Sequence, residues 1–564
     1  MRGSAARGAA SLLWLWAGLA CGPGHAHASG AALAPAGAVR AAISGDSLAA
    51  APGDGGAPAD GRPISRVEVE AHGIFDPVPP GRLGPVFRLA DRLHVRTRPS
   101  TVRHRVLVAA GEPWTEARAR ESERGLRALD IFDGVRVEGR PSGDSVVVTV
   151  WTRDAWTTSP EFALERGGGQ LFGSVQFSER NLFGRAQQIG VAYREDPTGI
   201  SRSIEVADPG VDGSRVRVAA AASGGSSGTI NSLAVGMPFY AEDAPLSFGI
   251  QAERANTTAR LFDTGVEVAR FARRLERVEM SVGRGRRFDR TIARLTGSFL
   301  VLDRSFGGST LERGAPVEFA GGEERLRVRR FAAEGRLWRP GFVERTAVDR
   351  LDGIEDFDLG RSLALALGFS PRALGGSVDE GYAAVRMDAG ADARGAGFGW
   401  LRLGLSSRLL AGPREASGRL EARWVNQTIP RHTLVVAALG AAGWRTPRDF
   451  QLVVGGLNGL RAHGVHALAG DRLWRCNAES RWLIGRDFQH LLSLGAAAFW
   501  DAARTRGPGS GDGPWQHDLG LGLRVGLPRS AFNRIVRFDV AWPLAPSGPG
   551  PREAVFSFGS SQAF

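Results

Sequence analysis

Lysine is absent from this 564-residue chain, and all 71 of its basic residues are arginine. Cysteine is nearly absent too, with two residues, and tyrosine and methionine number three and four. Cys21 falls within an expected leader, so Cys476 alone remains in the mature chain and no intramolecular disulfide can form. A cystine-stapled secreted scaffold is thereby excluded. Beyond the leader no run of about 20 apolar residues occurs, which excludes transmembrane helices. Wholesale disorder is excluded by an apolar content of 43% and a mean hydropathy of −0.14. Phosphate-loop and zinc-helix motifs are missing as well. Gly224-Gly225-Ser226-Ser227-Gly228 matches a hydrolase nucleophile pattern, but no helix follows it, and a Gly/Ser turn is the better reading. His463 and His466 lack an accompanying Cys or acidic ligand set. The chain is therefore expected to be no enzyme, with no cofactor and no metal.

Glycine is plentiful at 77 residues, and its distribution, with that of the charges, divides the chain. Residues 1–28 read as a signal peptide: Arg2 and Arg7, an apolar stretch through Leu12–Trp16, then Ala26-His27-Ala28 as the cleavage site. Gly18-Leu19-Ala20 before Cys21 is a poor lipobox, which argues against a lipoprotein. Residues 29–63 form an Ala/Gly/Pro linker too poor in bulky side chains to fold. From 64 to 156 the pattern is strand, helices, strand, strand. Ile64–Glu70 alternates, Glu112–Leu129 carries Ala119, Leu126 and Leu129 on one helical face, and 134–138 and 145–151 flank a Pro-Ser-Gly-Asp turn. This is a small α+β module.

Residues 157–564 show strand after strand. Leu519, Leu521, Leu523, Val525 and Leu527 alternate with Asp518, Gly520, Gly522, Arg524 and Gly526. Val536, Phe538, Val540 and Trp542 alternate with Arg537, Asp539 and Ala541; Leu420, Ala422 and Trp424 alternate with Arg419, Glu421 and Arg423. The period alone fits a soluble sandwich or a membrane barrel. Three features favour the barrel. The length allows sixteen strands at roughly 25 residues per strand and connection. Nine of the 14 tryptophans lie beyond residue 330, with Trp400, Trp424, Trp444, Trp482 and Trp542 at positions suited to interfacial girdles. Phe556, Phe558 and the terminal Phe564 form an aromatic-ended amphipathic strand, the expected barrel-insertion signal. The net charge of +12 is diffuse: 52 arginines face 43 acidic residues beyond residue 158. No basic run interleaves with aromatics, so no nucleic-acid partner is expected.

Four segments carry a family resemblance. Gly455-Gly456-Leu457-Asn458-Gly459-Leu460-Arg461-Ala462-His463-Gly464 resembles the GG-x-x-x-x-RG(F/Y) loop of the BamA/TamA-type bacterial surface antigen family. Ser178-Glu179-Arg180-Asn181-Leu182-Phe183-Gly184 resembles its NLFG barrel-entry motif, and Phe499-Trp500-Asp501-Ala502-Ala503 its F-x-D-x-G strand. Residues 64–154 resemble one polypeptide-transport-associated (POTRA) domain. The resemblance implies a mainly β chain: a sixteen-stranded antiparallel transmembrane β-barrel preceded by a POTRA domain. It also implies a long loop folded into the lumen, with Arg461 paired to Asp501 and Glu479 as a second carboxylate. Ala462, His463 and Ala503 depart from the family pattern and put close loop packing in doubt.

The implied function is assembly or translocation of polypeptide clients at the bacterial outer membrane, with the N-terminal domain in the periplasm. Outer-membrane lipid, unfolded or nascent clients, and periplasmic chaperones or lipoproteins are the expected partners. The alternatives are a two-partner-secretion-type export pore and, further off, a passive porin or barrel hydrolase. The weak seam of the barrel is expected in the first strand, within 162–179, where Gly167-Gly168-Gly169 interrupts it.

Overall fold

The computed structural model describes residues 60–564, apart from 168–169, 197–198, 314, 316–318, 394–396, 457–458, 508–511, 532–534, 545–552, 561 and 563–564. The expected leader, most of the linker, Leu457, Asn458 and Phe564 lie outside the described residues. Among the described residues no helix is long and apolar enough to cross a membrane.

The N-terminal module runs β1 (Ile64–His72), α1 (Gly84–Leu93), α2 (Pro99–Arg103), α3 (Glu116–Arg127), β2 (Phe132–Ser142) and β3 (Ser145–Asp154). Its sheet has the order β1-β3-β2, with β1 parallel and β2 antiparallel to β3. Every second residue of β3 (Val146, Val148, Val150) is fully buried against Leu126, Ile131 and Val102, the period-2 pattern of a half-buried strand. Thr115 starts α3 by accepting the Arg118 N–H, with Glu116 in the first turn and Arg124 and Arg127 in the last. Each charge therefore opposes the helix dipole end nearest to it.

Beyond the module, one antiparallel sheet closes on itself. Among the described residues it holds twenty strands, from Thr158–Gly167 to Val555–Ser560, plus a two-residue strand, Thr310–Leu311, added beside Val266–Phe288. This corrects the expected sixteen. Several connections are two-residue turns, such as Thr264-Gly265 and Ser226-Ser227, so each strand with its connection takes about 20 residues rather than 25. Ser226 thus sits in a hairpin turn, where its hydroxyl accepts the Ile200 N–H. The glycine-rich segment is corrected as well. Gly167 ends one strand and pairs with Gln170, which opens the next, so the expected single strand is two.

The alternation has the polarity of a membrane barrel. Leu519, Leu521, Leu523, Phe538 and Leu420 are exposed on the outer face, whereas Asp518, Arg524, Arg537 and Asp539 are buried inside. Water-soluble barrels bury the apolar face, and only lipid inverts that preference over a closed sheet. Trp424, Trp444, Trp482 and Trp542 point outward. Trp400 does not; it packs inward with Phe357 and Phe398, contrary to the girdle expectation.

An even strand number returns the chain to the module end, where the module docks at several places, two of them beside the barrel's closure. Asn181 is fully buried and donates to Thr97 Oγ1 (2.8 Å) and the Val95 carbonyl, while its Oδ1 accepts the Ala186 N–H. The Gly184 carbonyl accepts from Arg98 N–H and the Thr101 hydroxyl. Gly184 has φ +71°, and a Cβ there would sit 2.3 Å from the Arg96 carbonyl oxygen. Leu182 ends its strand, and Phe183 is exposed at the tip of this turn. On the other side, Trp156 exchanges backbone hydrogen bonds with Arg529 and Ala531, and Arg529 binds Asp133 at 2.6 Å. Gly184→Ala should therefore accelerate proteolysis between module and barrel. The heat-resistant barrel band on a denaturing gel should stay unchanged.

Candidate functional site: the buried arginine cluster of the lumen

The connection between the strands His432–Trp444 and Arg472–Phe488 does not project from the far end of the barrel. Leu452–Val454 pairs with Leu468–Gly470, and the described part of the loop, from Gly459 to Ala467, turns back into the lumen. Gly455, at φ +137°, lies so close to the returning chain that a Cβ would fall 2.0 Å from the Gly464 carbonyl oxygen. Gly456 N–H donates to the His463 carbonyl and closes the loop, and the Gly464 carbonyl accepts from Ala467 N–H.

Arg461 stands at the tip, 1% exposed. Its Nε and Nη2 donate to Asp501 Oδ2 and Oδ1 at 2.8 and 2.9 Å, the fork geometry that suits a carboxylate. Nη1 donates to Glu479 Oε2 at 2.9 Å and approaches Asp539 Oδ2 at 3.3 Å. The guanidinium also lies over the Phe499 ring, 3.2 Å from its centroid. A Cβ on Gly520 would meet that ring at 2.1 Å, so the glycine on the next strand makes room for it. Burial works against the charge on Arg461, but Asp501 and Glu479 outweigh it and hold the guanidinium protonated, well above the ordinary arginine range.

Strand register assembles the wall. Asn477, Asp501 and Asp518 sit side by side on three neighbouring strands. Asn477 donates to Asp501 Oδ1 (2.7 Å) and to the Gly459 carbonyl. Glu479, two residues on, shares the inward face. Arg481, Arg524 and Arg537 complete the cluster: Arg481 and Arg524 reach Glu479 at 3.0 Å, Arg524 reaches Asp539 at 2.6 Å, and Arg537 reaches it at 3.0 Å. Four buried arginines thus interlock with Glu479, Asp501 and Asp539.

The departures from the family pattern find room. Ala462 packs between Phe499 and Ala541 and donates its N–H to Asp518 Oδ2 at 2.7 Å. Ala503 is buried against Leu439 and Leu473. His463 Nδ1 lies 2.8 Å from Asp518 Oδ1, and its Nε2 lies 3.4 Å from Gln516 Oε1. Burial opposes protonation of His463, yet Asp518 outweighs it and raises the imidazole above its ordinary value. His466 stacks on Phe262 instead, with centroids 4.0 Å apart.

The structure therefore brings Arg461, Asp501 and Glu479 together. Sequence reasoning missed Asp518, Asp539, Arg481, Arg524, Arg537 and Asn477 as members of the cluster. Asp518, Arg524, Arg537 and Asp539 all stand on faces recognised as inward, and inter-strand register was the missing signal. The motif at 181–184 serves the module dock, away from the cluster. Phe556 faces outward, and Phe558 stacks on Phe538 at 6.0 Å across the last strand pair.

No family model matches the chain, and no curated protein does. Among solved structures it is similar to BamA from Haemophilus ducreyi lacking POTRA domains 1–3, at 12% identity over 82% of each chain and a TM-score of 0.38. It is also similar to CdiB from Acinetobacter baumannii, at 9% identity over 89% of this chain and 74% of that one, with a TM-score of 0.45. CdiB from Escherichia coli gives 12% identity, 88% and 76% coverage, and a TM-score of 0.45.

Arg461→Ala takes from buried Asp501 the guanidinium that binds it, while Glu479 and Asp539 keep Arg481, Arg524 and Arg537, and should lower barrel stability by about 3–5 kcal/mol. Asp501→Ala should cost a similar amount, and the double variant clearly less than the sum, in denaturant titrations of the refolded barrel. His463 gives a pH test. Its folded-state value is raised, so its contribution is complete below the unfolded value of 6.5 and is lost as pH rises through the folded one. Melting temperature should fall across that interval, and His463→Gln should abolish the dependence.

Proposed function

We propose that this chain is an outer-membrane assembly or translocation factor of the BamA/TamA type, acting on polypeptide clients without catalysing a chemical step. The observation that carries the reading is the lumenal loop whose Arg461 is bound bidentately by Asp501 inside a closed barrel with an apolar outer face. A loop fixed there by buried charges cannot be an ordinary surface connection. Residues 64–154 act as a POTRA-like periplasmic domain and take extended client segments along the edge strands β1 or β2, by strand addition. Periplasmic chaperones or lipoproteins deliver those clients.

The closing seam supplies the insertion edge. The final strand, Val555–Ser560, has six residues and its neighbour Val536–Pro543 has eight. The mid-barrel strands Leu246–Asp263 and Val266–Phe288 have 18 and 23. Fewer ladder hydrogen bonds make the closing pairs the least costly to open, and an opened edge templates incoming strands. The module docks on both sides of this seam, through Asn181 and Arg529, so client binding and seam opening share a mechanical frame.

A second reading, an export pore for a dedicated substrate, draws on the width of the lumen, since barrel diameter grows with strand number. Depletion of the protein separates the two. The assembly reading expects several other outer-membrane barrel proteins to decline together. Loss of one exported protein with an otherwise unchanged outer-membrane proteome would contradict assembly and favour export.

A further inference from the structure

The connection between the strands Glu324–Arg339 and Arg361–Ser370 lies at the module end of the barrel, and it also turns into the lumen. Phe342–Arg345 pairs with Glu355–Asp358 as a separate two-stranded hairpin. One face of it, Phe357 with Val343, packs on the inward side chains Phe398, Trp400, Val425 and Val435. Its tip is bound to the barrel wall. Thr433 Oγ1 donates to the Ala347 carbonyl, Gln427 Nε2 donates to the Thr346 carbonyl, and Arg423 pairs with Asp349. Leu351 packs on Leu483 and Ile535, and inward glycines, Gly495 and Gly526, make space for it.

The other face of the hairpin carries an electrostatic conflict. Glu344 and Asp356 are direct cross-strand partners. Like charges placed opposite one another on a two-stranded ribbon destabilise it, and four ladder pairs alone offset little of that, even with the tip and the other face bound to the wall. Arg127, at the end of α3 in the module, resolves the conflict. It donates to Asp356 through Nε and Nη2 at 2.7 and 2.6 Å, and Nη2 also reaches Glu344 at 2.9 Å. Arg124 covers the Phe342 ring at 4.1 Å, and Asp130 binds Arg350 at 3.1 Å. The like-charge pair on this face is neutralised by a cation that belongs to the module.

At its inner end the same hairpin joins the arginine cluster. Arg481 donates Nη1 to the Val348 carbonyl at 2.6 Å and Nε to Glu479 at 3.0 Å, and Glu479 in turn holds Arg461. One side chain thus ties the module-end hairpin to the far-end loop.

We propose that the lumen is a gated conduit, and that the 342–358 hairpin is its module-end gate, held shut by Arg127 and released when a client shifts α3. The gate rests on the membrane-barrel reading but not on the identity of the client. Single-channel recordings of the full-length protein in planar lipid bilayers, with no client present, test it. Arg127→Met should raise the mean conductance at least threefold, and so should replacement of residues 346–354 by Gly-Gly. Adding Glu344→Gln to Arg127→Met removes the like-charge pair and should return the conductance most of the way to that of the unmodified protein. If Arg127→Met fails to give a heat-resistant barrel, the Gly-Gly variant decides the matter. Unchanged conductance in the variants that fold would overturn the gate, and failure of Glu344→Gln to restore closure would overturn Arg127 as its clasp. Neither result bears on the proteome response to depletion, so the client reading is tested separately.

Discussion

A charged cluster sealed inside the lumen is the constraint that the remaining parts obey. Arg461 cannot be desolvated alone, because burying an unpaired guanidinium costs far more than a loop of this size can recover. It is tolerable only if carboxylates wait at fixed positions on the wall, and those positions exist only when the strands Arg472–Phe488, Leu492–Arg506 and Gln516–Gly526 keep their register. A one-residue slip would turn Asp501 or Asp518 out toward lipid. Loop pose and wall register therefore specify each other.

That mutual dependence explains the residue choices around the cluster. Gly520 leaves space for the Phe499 ring on which Arg461 lies, and a Cβ on Gly522 would fall 2.1 Å from Asp539 Oδ1. Both are inward positions where a larger residue would push the ion pairs apart. The same logic reaches the module through Arg481, the 342–358 hairpin and Arg127, a continuous series of charge-assisted contacts between two inserted loops. The six-residue final strand, Val555–Ser560, lies outside this reinforcement, next to the strand that carries Arg537 and Asp539. Strength and weakness are thus placed on neighbouring strands.

Much of this arrangement is legible in the amino-acid sequence. Alternation in 518–527 and 536–542 separates the inward from the outward face, because the side-chain period of a strand is two wherever it pairs. Arg461, Asp501 and Glu479 can be named together because the loop and strand motifs carry them. Strand number is not legible: turns as short as Thr264-Gly265 leave no compositional gap, so long alternating stretches conceal extra strands. Trp400 is misplaced by its sequence because a tryptophan near a strand end reads the same on either face. The hairpin at 342–358 escapes notice for a related reason, since Phe342–Arg345 resembles any further wall strand. That Glu344 stands opposite Asp356, with Arg127 between them, is a fact of register and docking across more than 200 residues of chain.

Buried charges, and not the hairpin at its foot, hold the loop that carries Arg461 inside the barrel. Hydrogen exchange on the full chain in lipid nanodiscs measures this directly, peptide by peptide. The segment around Ala462, whose N–H is donated to buried Asp518, should be protected as long as the wall strand Arg472–Phe488. In Arg461→Ala that segment should exchange quickly while the wall strand keeps its protection. A loop that already exchanges quickly in the unmodified protein, or stays protected without Arg461, would contradict the hold by buried charges.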